Sequence, residues 1–283
     1  MKTTAIVEDF SGIGNLSLVA ALDIFHALNL TTAALPATVL SSQSEGFGKP
    51  AMMNSDALHQ FQQQSFRHWQ QISDMDLENI VTGYLGTPST VKSITQWLAH
   101  CSPRSVIVDP VMADQGRLYP GIAAEMPAQL RKMINYASII SPNLTELYLL
   151  AGKPTAIMAT SNTEIYACIQ ELRSSGYGGD VIVTGISGAH NQVISQYWSG
   201  QAATPAEESR TSRLPGHFYG TGDVFTATFA ALLLKSNKPI YSFLRANQLV
   251  QIAVRETAKL SESDRKYGLL LHNLLKELII HEG

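Results

Sequence analysis

The stretch Gly216–Lys235, GHFYGTGDVFTATFAALLLK, joins a glycine-containing loop directly to an apolar run. The apolar residues recur at helical spacing and the run stops before Pro239, which predicts a buried helix. A helix that opens on glycines presents unpaired N–H groups at the positive end of its dipole. Gly220, Thr221 and Gly222 therefore predict an anion site, for which phosphate is the usual ligand.

Asp223 follows these glycines, and its carboxylate would repel an anion unless it takes up a proton. Two interpretations stay open on this stretch alone. Asp223 is either a helix N-cap, since Asp is among the preferred N-cap residues, or a catalytic base. The rest of the chain has to decide between them.

Length and composition limit the class of protein. The chain has 283 residues, of which 45% are hydrophobic, and this suits one large α/β domain over residues 1–283, or at most two domains. The net charge of −3 lacks the basic footprint of a protein that binds nucleic acid or an anionic membrane. We therefore expect small-molecule partners, with neither nucleic acid nor membrane among them.

The two cysteines, Cys101 and Cys168, form no CxxC pair and indicate free thiols in a reducing compartment. The start of the chain carries the acidic pair Glu8-Asp9 where a signal peptide would need an apolar run. No apolar run reaches the roughly 20 residues of a membrane span. The predicted location is the cytoplasm.

Strand-type and helix-type segments alternate along most of the chain, and the Val/Ile-rich strands show no polar alternation. Such strands are typical of a parallel sheet buried on both faces. The expected fold class is α/β, with a mainly parallel central sheet and helices on both faces. An additional pair of strands is expected at Val193–Trp198 and Ser209–Leu214.

Several polar residues fall where the predicted strands end. Ligands of open α/β sheets bind beyond the carboxyl ends of the strands, so these residues indicate a common cleft. They are Glu8, Asp9, Tyr84, Asp109, Asn143 and Thr184. The polar, glycine-containing segment 41–53 also follows a strand end, and we interpret it as a flap or lid.

Asp109 and Asp114 lie in a loop after the buried strand Ser105–Val108. One interpretation is a turn in which Asp accepts local hydrogen bonds. The other is a site for Mg²⁺ and nucleotide phosphates, since Mg²⁺ keeps its waters and needs only one or two carboxylates.

Asn143-Leu144-Thr145-Glu146 also has two interpretations. Asn143 with Glu146 three residues later resembles a capping box at a helix start. Alternatively, Glu146 lies near the strand end that carries Asp109 and contributes to a Mg²⁺–nucleotide site.

Four motifs then occur in a fixed order: DPVMADQGRLY (Asp109–Tyr119), SPNLTEL (Ser141–Leu147), VTG (Val183–Gly185) and GTGD (Gly220–Asp223). In this order they resemble the ribokinase superfamily and, within it, the pyridoxal kinase family. SGIGN, SSQSEGF and TGYLG resemble the substrate side of the same family, so the resemblance covers nearly the whole chain.

The resemblance implies an ATP-dependent kinase that phosphorylates the 5′-hydroxymethyl group of pyridoxal. Asp223 is then the catalytic base, and the three residues before it form an anion hole: Gly220, Thr221 and Gly222. The implied metal ligands are Asp109 and Glu146. The implied ATP-binding residues are Asp109, Asp114, Tyr119, Asn143, Thr184, Gly185, Gly220 and Gly222. The implied substrate-binding residues are Asp9, Ser11, Ser44, Tyr84 and Asp223. Mg²⁺ is the expected cofactor, a monovalent cation is a further possibility, and a homodimer is the expected assembly.

The chain departs from the family pattern at two places, both on the substrate side. The usual Ser of the first strand's loop is replaced by Glu8-Asp9, and the His-Thr-Gly of the flap reads Gln43-Ser44-Glu45. These departures leave the preferred ring open. A hydroxymethylpyrimidine kinase of thiamine synthesis is the nearest alternative, although that family typically has Cys in place of Asp223. The alternative of another class is a non-catalytic B6-binding protein on a kinase scaffold.

Overall fold

The computed structural model describes residues 1–53, 55–156, 158 and 160–283. The strands are β1 (Lys2–Ser11), β2 (Thr32–Leu40), β3 (Asp76–Thr82), β4 (Ser105–Val108), β5 (Ala113–Asp114), β6 (Arg117–Leu118), β7 (Ile139–Ile140), β8 (Asp180–Gly188), β9 (Gln192–Trp198) and β10 (Glu207–Ser212). The helices are α1 (Ser17–Ala27), α2 (Ser55–Trp69), α3 (Pro88–His100), α4 (Met126–Met133), α5 (Leu144–Leu150), α6 (Asn162–Ser174), α7 (Thr221–Ser236), α8 (Pro239–Thr257) and α9 (His272–Glu282). Short 3₁₀ turns cover Ile134–Tyr136 and Arg265–Tyr267.

The chain divides into two compact units, and the first is made of two separate pieces of chain, Met1–Gly83 and Leu214–Gly283. In this unit β1 pairs in parallel with β2 on one side and with β3 on the other. Seven consecutive residues of β1, Thr3–Asp9, are buried, as expected for a central strand covered on both faces. Helix α7 packs against α1 and α8, so the predicted glycine-opened helix belongs to the core of this unit.

The second unit is the continuous segment Tyr84–Arg213. Its strands β4, β7 and β8 pair in parallel, and β8, β9 and β10 continue as antiparallel neighbours. Strands β5 and β6 form a separate small hairpin whose turn residues, Gln115 and Gly116, both have positive φ. Positive φ at both central residues is the signature of a type I′ turn, which matches the twist of paired strands.

The predicted α/β fold with a mainly parallel sheet is confirmed. The predicted additional pair of strands is also confirmed: β9 and β10 are neighbours that pair in antiparallel, and β10 begins two residues before the predicted Ser209. Thr87 caps α3 with Pro88 at its first position, and the Thr87 side chain accepts the N–H of Thr90. None of the helices in the described part of the chain combines the length and the hydropathy of a transmembrane span.

Two local predictions need correction. The strand predicted to stop at Thr184 continues to Gly188, because β9 pairs with residues on both sides of an irregularity after Val183. The short β5–β6 hairpin was not predicted, since two-residue strands carry no readable periodicity.

Candidate active site

The loop before α7 has the geometry of a helix start that requires glycine. Gly220 is the N-cap residue of α7 and lies in the left-handed region, with φ 77° and ψ 14°. A Cβ added there would lie 2.7 Å from Cδ2 of Leu16, so a side chain would clash as well as strain the backbone. The first N–H groups of α7, from Thr221 onward, have no partner within the helix and can face an anion.

Asp223 is the third residue of α7 and does not cap its own helix, because Gly220 is the N-cap and has no side chain. Its carboxylate instead reaches the first residue of α1. Oδ2 of Asp223 accepts the N–H of Ser17 at 3.0 Å and the Ser17 Oγ–H at 2.9 Å. The N-cap interpretation of Asp223 for the predicted helix is therefore wrong.

The pKa of Asp223 is raised above the usual range of an aspartate because the carboxyl group is buried, and the hydrogen bonds from Ser17 oppose that rise. A carboxylate with a raised pKa is a stronger base than an exposed one. This property suits a group that takes a proton from an alcohol.

Asp9, at the end of β1, is a second buried carboxylate in the same unit, only 5% exposed. Burial and, after it, repulsion by Asp223 raise the pKa of Asp9 to about 6. The side chains of Ser17 and Ser11 lower the pKa of Asp9, and Ser11 Oγ donates to Asp9 Oδ2 at 2.8 Å. Asp9, Ser11, Ser17 and Asp223 therefore form one cluster, which we call the carboxylate pair site.

Glu8 and Ser44 also belong to the predicted substrate side. Glu8 is buried at the end of β1, and a Cβ added to Gly83 would lie 2.9 Å from Glu8 Cγ and Oε1. The segment after β3 thus approaches Glu8 closely enough to require glycine. Ser44 is exposed on the predicted lid, and among the described residues no hydrogen bond joins it to the carboxylate pair site.

The predicted lid, 41–53, has a paired base and a packed tip. Ser41 N–H donates to Ala51 O at 2.9 Å, closing the segment into a hairpin-like loop. At the tip, the ring of Phe47 meets Tyr267 edge-on at 5.1 Å, and Nζ of Lys266 lies 4.5 Å from the Phe47 centroid. Glu45 also lies 3.7 Å from the His217 ring nitrogen.

In the second unit, Asn143 and Glu146 form a complete capping box at the start of α5. Oδ1 of Asn143 accepts the Glu146 N–H at 3.0 Å, and Oε2 of Glu146 accepts the Asn143 N–H at 2.9 Å. The capping interpretation is therefore confirmed.

The contacts of Glu146 extend beyond the capping box. Its Oε1 accepts the N–H of Met112 at 3.0 Å and lies 3.4 Å from the N–H of Ala113. Asn143 Nδ2 donates to the Ala113 carbonyl at 2.7 Å. The side chains of α5 thus fix the backbone of the loop that follows Asp109.

The two carboxylates predicted as metal ligands act on each other. The pKa of Glu146 lies well above its usual range because the carboxyl group is buried and because Asp109 repels its charge; three backbone N–H groups oppose the rise. Among the described residues no group of three or more His, Cys, Asp or Glu side chains is arranged to hold a metal. A pair of buried, mutually repelling carboxylates still fits Mg²⁺, which needs few protein ligands and would relieve this repulsion.

The remaining predicted nucleotide residues lie in the same unit. Asn143 and Thr184 form an isolated parallel bridge, and Thr184 N–H donates to Pro142 O at 3.0 Å, so the chain just after β7 is joined to the middle of β8. Gly185 follows with φ 70°. Asp114 is exposed and accepts the Gln115 N–H at 2.8 Å, which is the local turn contact that was the alternative interpretation. Tyr119 and Tyr84 are half-buried.

Ser17 is the residue of the carboxylate pair site that the sequence did not predict. It lies 206 positions from Asp223, and no local sequence pattern predicts a contact between residues so far apart. The usable signal in the sequence is the position of Ser17, two residues after Asn15, which ends the SGIGN motif.

Comparison with known proteins gives a consistent result. A model of the phosphomethylpyrimidine kinase family matches residues 22–267. The crystal structure of pyridoxal kinase from Lactobacillus plantarum is 31% identical and superposes with a TM-score of 0.88, covering 99% of this chain and 98% of that one.

Curated sequences agree. A pyridoxal kinase of Arabidopsis thaliana is 29% identical over 56% of this chain and 51% of its own length. A pyridoxine kinase of Bacillus subtilis (strain 168) is 26% identical over 64% of this chain and 65% of its own length. The chain spans about half the length of several curated relatives that it matches.

Proposed function

Since the chain belongs to the family of phosphomethylpyrimidine and pyridoxal kinases, we propose that it transfers the terminal phosphoryl group of ATP to the 5′-hydroxymethyl group of pyridoxal. The observation that carries the proposal is Asp223, a carboxylate of raised pKa in the first turn of a helix that opens on glycine. An anion-binding helix start with a base beside it suits transfer of a phosphoryl group to an alcohol.

In the proposed reaction the hydroxymethyl oxygen forms a bond to the γ-phosphorus and the bond from that phosphorus to the β–γ bridging oxygen breaks. The proton of the hydroxyl goes to the carboxylate of Asp223, and ADP leaves with the bridging oxygen. The N–H groups of Gly220, Thr221 and Gly222 donate to the transferring phosphoryl oxygens, where negative charge is spread in the transition state.

The second unit supplies the nucleotide residues in this proposal. Asp109 and Glu146 would hold Mg²⁺, which when bound neutralises phosphate charge. Asn143 and Glu146 fix the loop backbone around Met112 and Ala113, and this rigidity supports their assignment to phosphate positioning. The other proposed ATP-binding residues are Asp109, Asp114, Tyr119, Thr184 and Gly185.

On the substrate side we propose Asp9, Ser11, Ser44 and Tyr84, with Tyr84 as an aromatic wall for the ring. The segment 41–53 is proposed as a lid that closes over the substrate and keeps water from intercepting the phosphoryl group. We further propose a single kinase domain that acts in the cytoplasm as a homodimer, with use of a monovalent cation left to the assay below.

The test is consumption of Mg²⁺–ATP by the purified protein with pyridoxal, pyridoxine, pyridoxamine and hydroxymethylpyrimidine side by side, with and without K⁺. Formation of pyridoxal 5′-phosphate as the preferred product is expected. The second candidate is hydroxymethylpyrimidine phosphorylation, because the matching family model is described as phosphomethylpyrimidine kinase. Turnover of hydroxymethylpyrimidine alone would establish that candidate, and no turnover with any acceptor would leave the non-catalytic B6-binding alternative.

A further inference from the structure

Ser17 contacts both members of the carboxylate pair site. Its N–H and its Oγ–H both donate to Oδ2 of Asp223, at 3.0 and 2.9 Å. The Ser17 side chain also acts on Asp9, where it lowers the pKa of the carboxyl group. Within the described part of the chain, Oδ1 of Asp223 receives no hydrogen bond from another residue.

The backbone of Ser17 is in a conformation that an L residue rarely adopts. Its φ is +43°, in the left-handed region, although Ser17 is the first residue of α1 and is buried. Residues held in such regions persist only where the surrounding structure fixes them, and they cluster at functional sites. The left-handed backbone of Ser17 accompanies an N–H that is donated to Asp223.

Close contacts fix the chain just before Ser17. Asn15 N–H donates to Tyr267 O at 2.9 Å, and a Cβ added to Gly14 would lie 2.4 Å from that same carbonyl oxygen. On the other side, Leu16 lies against Gly220 so closely that a Cβ at Gly220 would come within 2.7 Å of Leu16 Cδ2. The segment that carries Ser17 is thus held between the 3₁₀ turn at Tyr267 and the anion loop itself.

We propose that Ser17 is a positioning residue for Asp223: its two donors fix Oδ2 and leave Oδ1 as the oxygen that accepts the hydroxyl proton. This inference rests on the proposed function, in which Asp223 is the base. A carboxylate that is free to rotate would present either oxygen in many directions, whereas one held by two donors presents Oδ1 in a single direction. Fixed orientation of a reacting group is a large part of what an active site contributes to a rate.

The same two donors favour the ionised form of Asp223. The other ionisable side chain that acts within the site is Asp9, on β1, which carries like charge. Removal of the Ser17 hydroxyl would leave the effect of burial on Asp223 less opposed, and the base would be protonated at a higher pH than in the wild type.

The test is Ser17→Gly, which removes Oγ, keeps the N–H and suits a positive φ, so the fold should hold. We expect kcat with saturating ATP and pyridoxal to fall about tenfold, the scale of one hydrogen bond to a charged group. The acidic limb of the pH profile should move to higher pH, and the affinity for ATP should stay unchanged.

The matched control is Asn237→Gly. Asn237 has φ 53° at the far end of α7, the helix that carries Asp223, so glycine relieves the same kind of strain as at Ser17 without touching Asp223. Its kcat and pH profile should equal those of the wild type. If the role of Ser17 were purely structural, Ser17→Gly and Asn237→Gly would both change the thermal stability and leave kcat and the pH profile unchanged.

A second readout keeps this inference separate from the proposed function. The carboxyl titration of Asp223 is followed by ¹³C NMR in the free wild-type protein and in Ser17→Gly, with no substrate present. A higher pKa in the variant supports the inference even if pyridoxal proves not to be the acceptor. An unchanged pKa, or an unchanged kcat in an active enzyme, overturns it.

Discussion

Asn143 and Glu146 exchange two hydrogen bonds at the start of α5, Asn143 Oδ1 to the Glu146 N–H at 3.0 Å and Asn143 N–H to Glu146 Oε2 at 2.9 Å. The second carboxylate oxygen is also in use, because Oε1 accepts the N–H of Met112. Glu146 therefore has a structural role and a proposed metal role at once, and one substitution affects both.

We expect Glu146→Gln to lose stability as well as activity. Whichever way the amide points, its NH₂ group faces a backbone N–H that the carboxylate had satisfied, and an unpaired buried donor costs about 1–3 kcal/mol. The Mg²⁺ concentration for half-maximal turnover should rise several-fold. Urea unfolding and Mg²⁺ titration of turnover measure the two effects.

The control for that variant is Ser161→Ala, which removes the N-cap of α6 in the same unit, where Ser161 Oγ accepts the Glu164 N–H. It should lose about 1 kcal/mol of stability and keep the wild-type Mg²⁺ requirement. Asp109→Asn should raise the requirement without a cap defect. A wild-type requirement in both Asp109→Asn and Glu146→Gln would contradict the metal assignment.

Asp223→Asn should abolish most turnover while leaving the fold intact. The amide oxygen can still accept both donors of Ser17, but an amide takes no proton at neutral pH. We expect kcat to fall by about 10²–10⁴, the usual contribution of a general base. The affinity for ATP should be retained or slightly increased, because a negative charge leaves the anion site.

Turnover and nucleotide binding are measured on the same preparation of Asp223→Asn. Asp23→Asn, at an exposed carboxylate of α1, makes the same chemical change away from the site and should behave as wild type. Turnover of Asp223→Asn within a few-fold of wild type would remove the base from the mechanism.

Asp9→Asn should stabilise the protein at neutral pH. The folded-state pKa of Asp9 is raised from 3.8 to about 6, so the folded protein binds this proton more tightly than the unfolded chain does. The stabilisation that comes from protonating Asp9 in the folded protein is fully present below pH 3.8, and it is lost as the pH rises through about 6. The full shift corresponds to about 3 kcal/mol, the upper limit of the gain on removing the charge.

Unfolding of wild type and Asp9→Asn is compared at pH 7.5 and pH 4.5. The variant should be the more stable protein at pH 7.5, and its advantage should shrink at pH 4.5. Asp23→Asn again serves as control, with a change within about 0.5 kcal/mol at both pH values. An advantage of Asp9→Asn that is independent of pH would show that the buried charge is not its cause.

Phe47→Ala should loosen the proposed lid. The ring of Phe47 packs the tip of the segment on Tyr267 and Lys266. Limited proteolysis within 41–53 should be several-fold faster in this variant, and in the wild type it should slow when ATP and pyridoxal are both present. Phe61→Ala, at an exposed ring on α2, should cleave like the wild type. Equal cleavage of the wild type with and without ligands would argue against closure.

The features that could be predicted from the sequence are those set by neighbours along the chain. Thr87 and Pro88 predict the start of α3, because the capping side chain of Thr87 and the fixed φ of Pro88 act within one turn of the helix. The spacing of Asn143 and Glu146 likewise predicts a capping box, as one of two interpretations of that segment. The glycines before Asp223 announced a helix start for the same local reason.

What could not be predicted depends on contacts between distant parts of the chain. The N-cap interpretation of Asp223 failed because the carboxylate serves the start of α1, 206 residues away, rather than its own helix. The contact of Glu146 with Met112 likewise depends on how α5 packs against β5 and the residue just before it. Propensity and spacing contain no information about such pairings, which only the tertiary fold creates.

The first unit is built from two pieces of chain, so its two parts are synthesised at different times. Ser17 and Asp223 are 206 residues apart, so at usual synthesis rates about 10–40 s separate their appearance. The second unit, continuous from Tyr84 to Arg213, is complete before Asp223 has been made. A nascent chain therefore carries the proposed nucleotide residues of the second unit before its proposed base, and the carboxylate pair site is complete only when the returning segment joins β1 and α1.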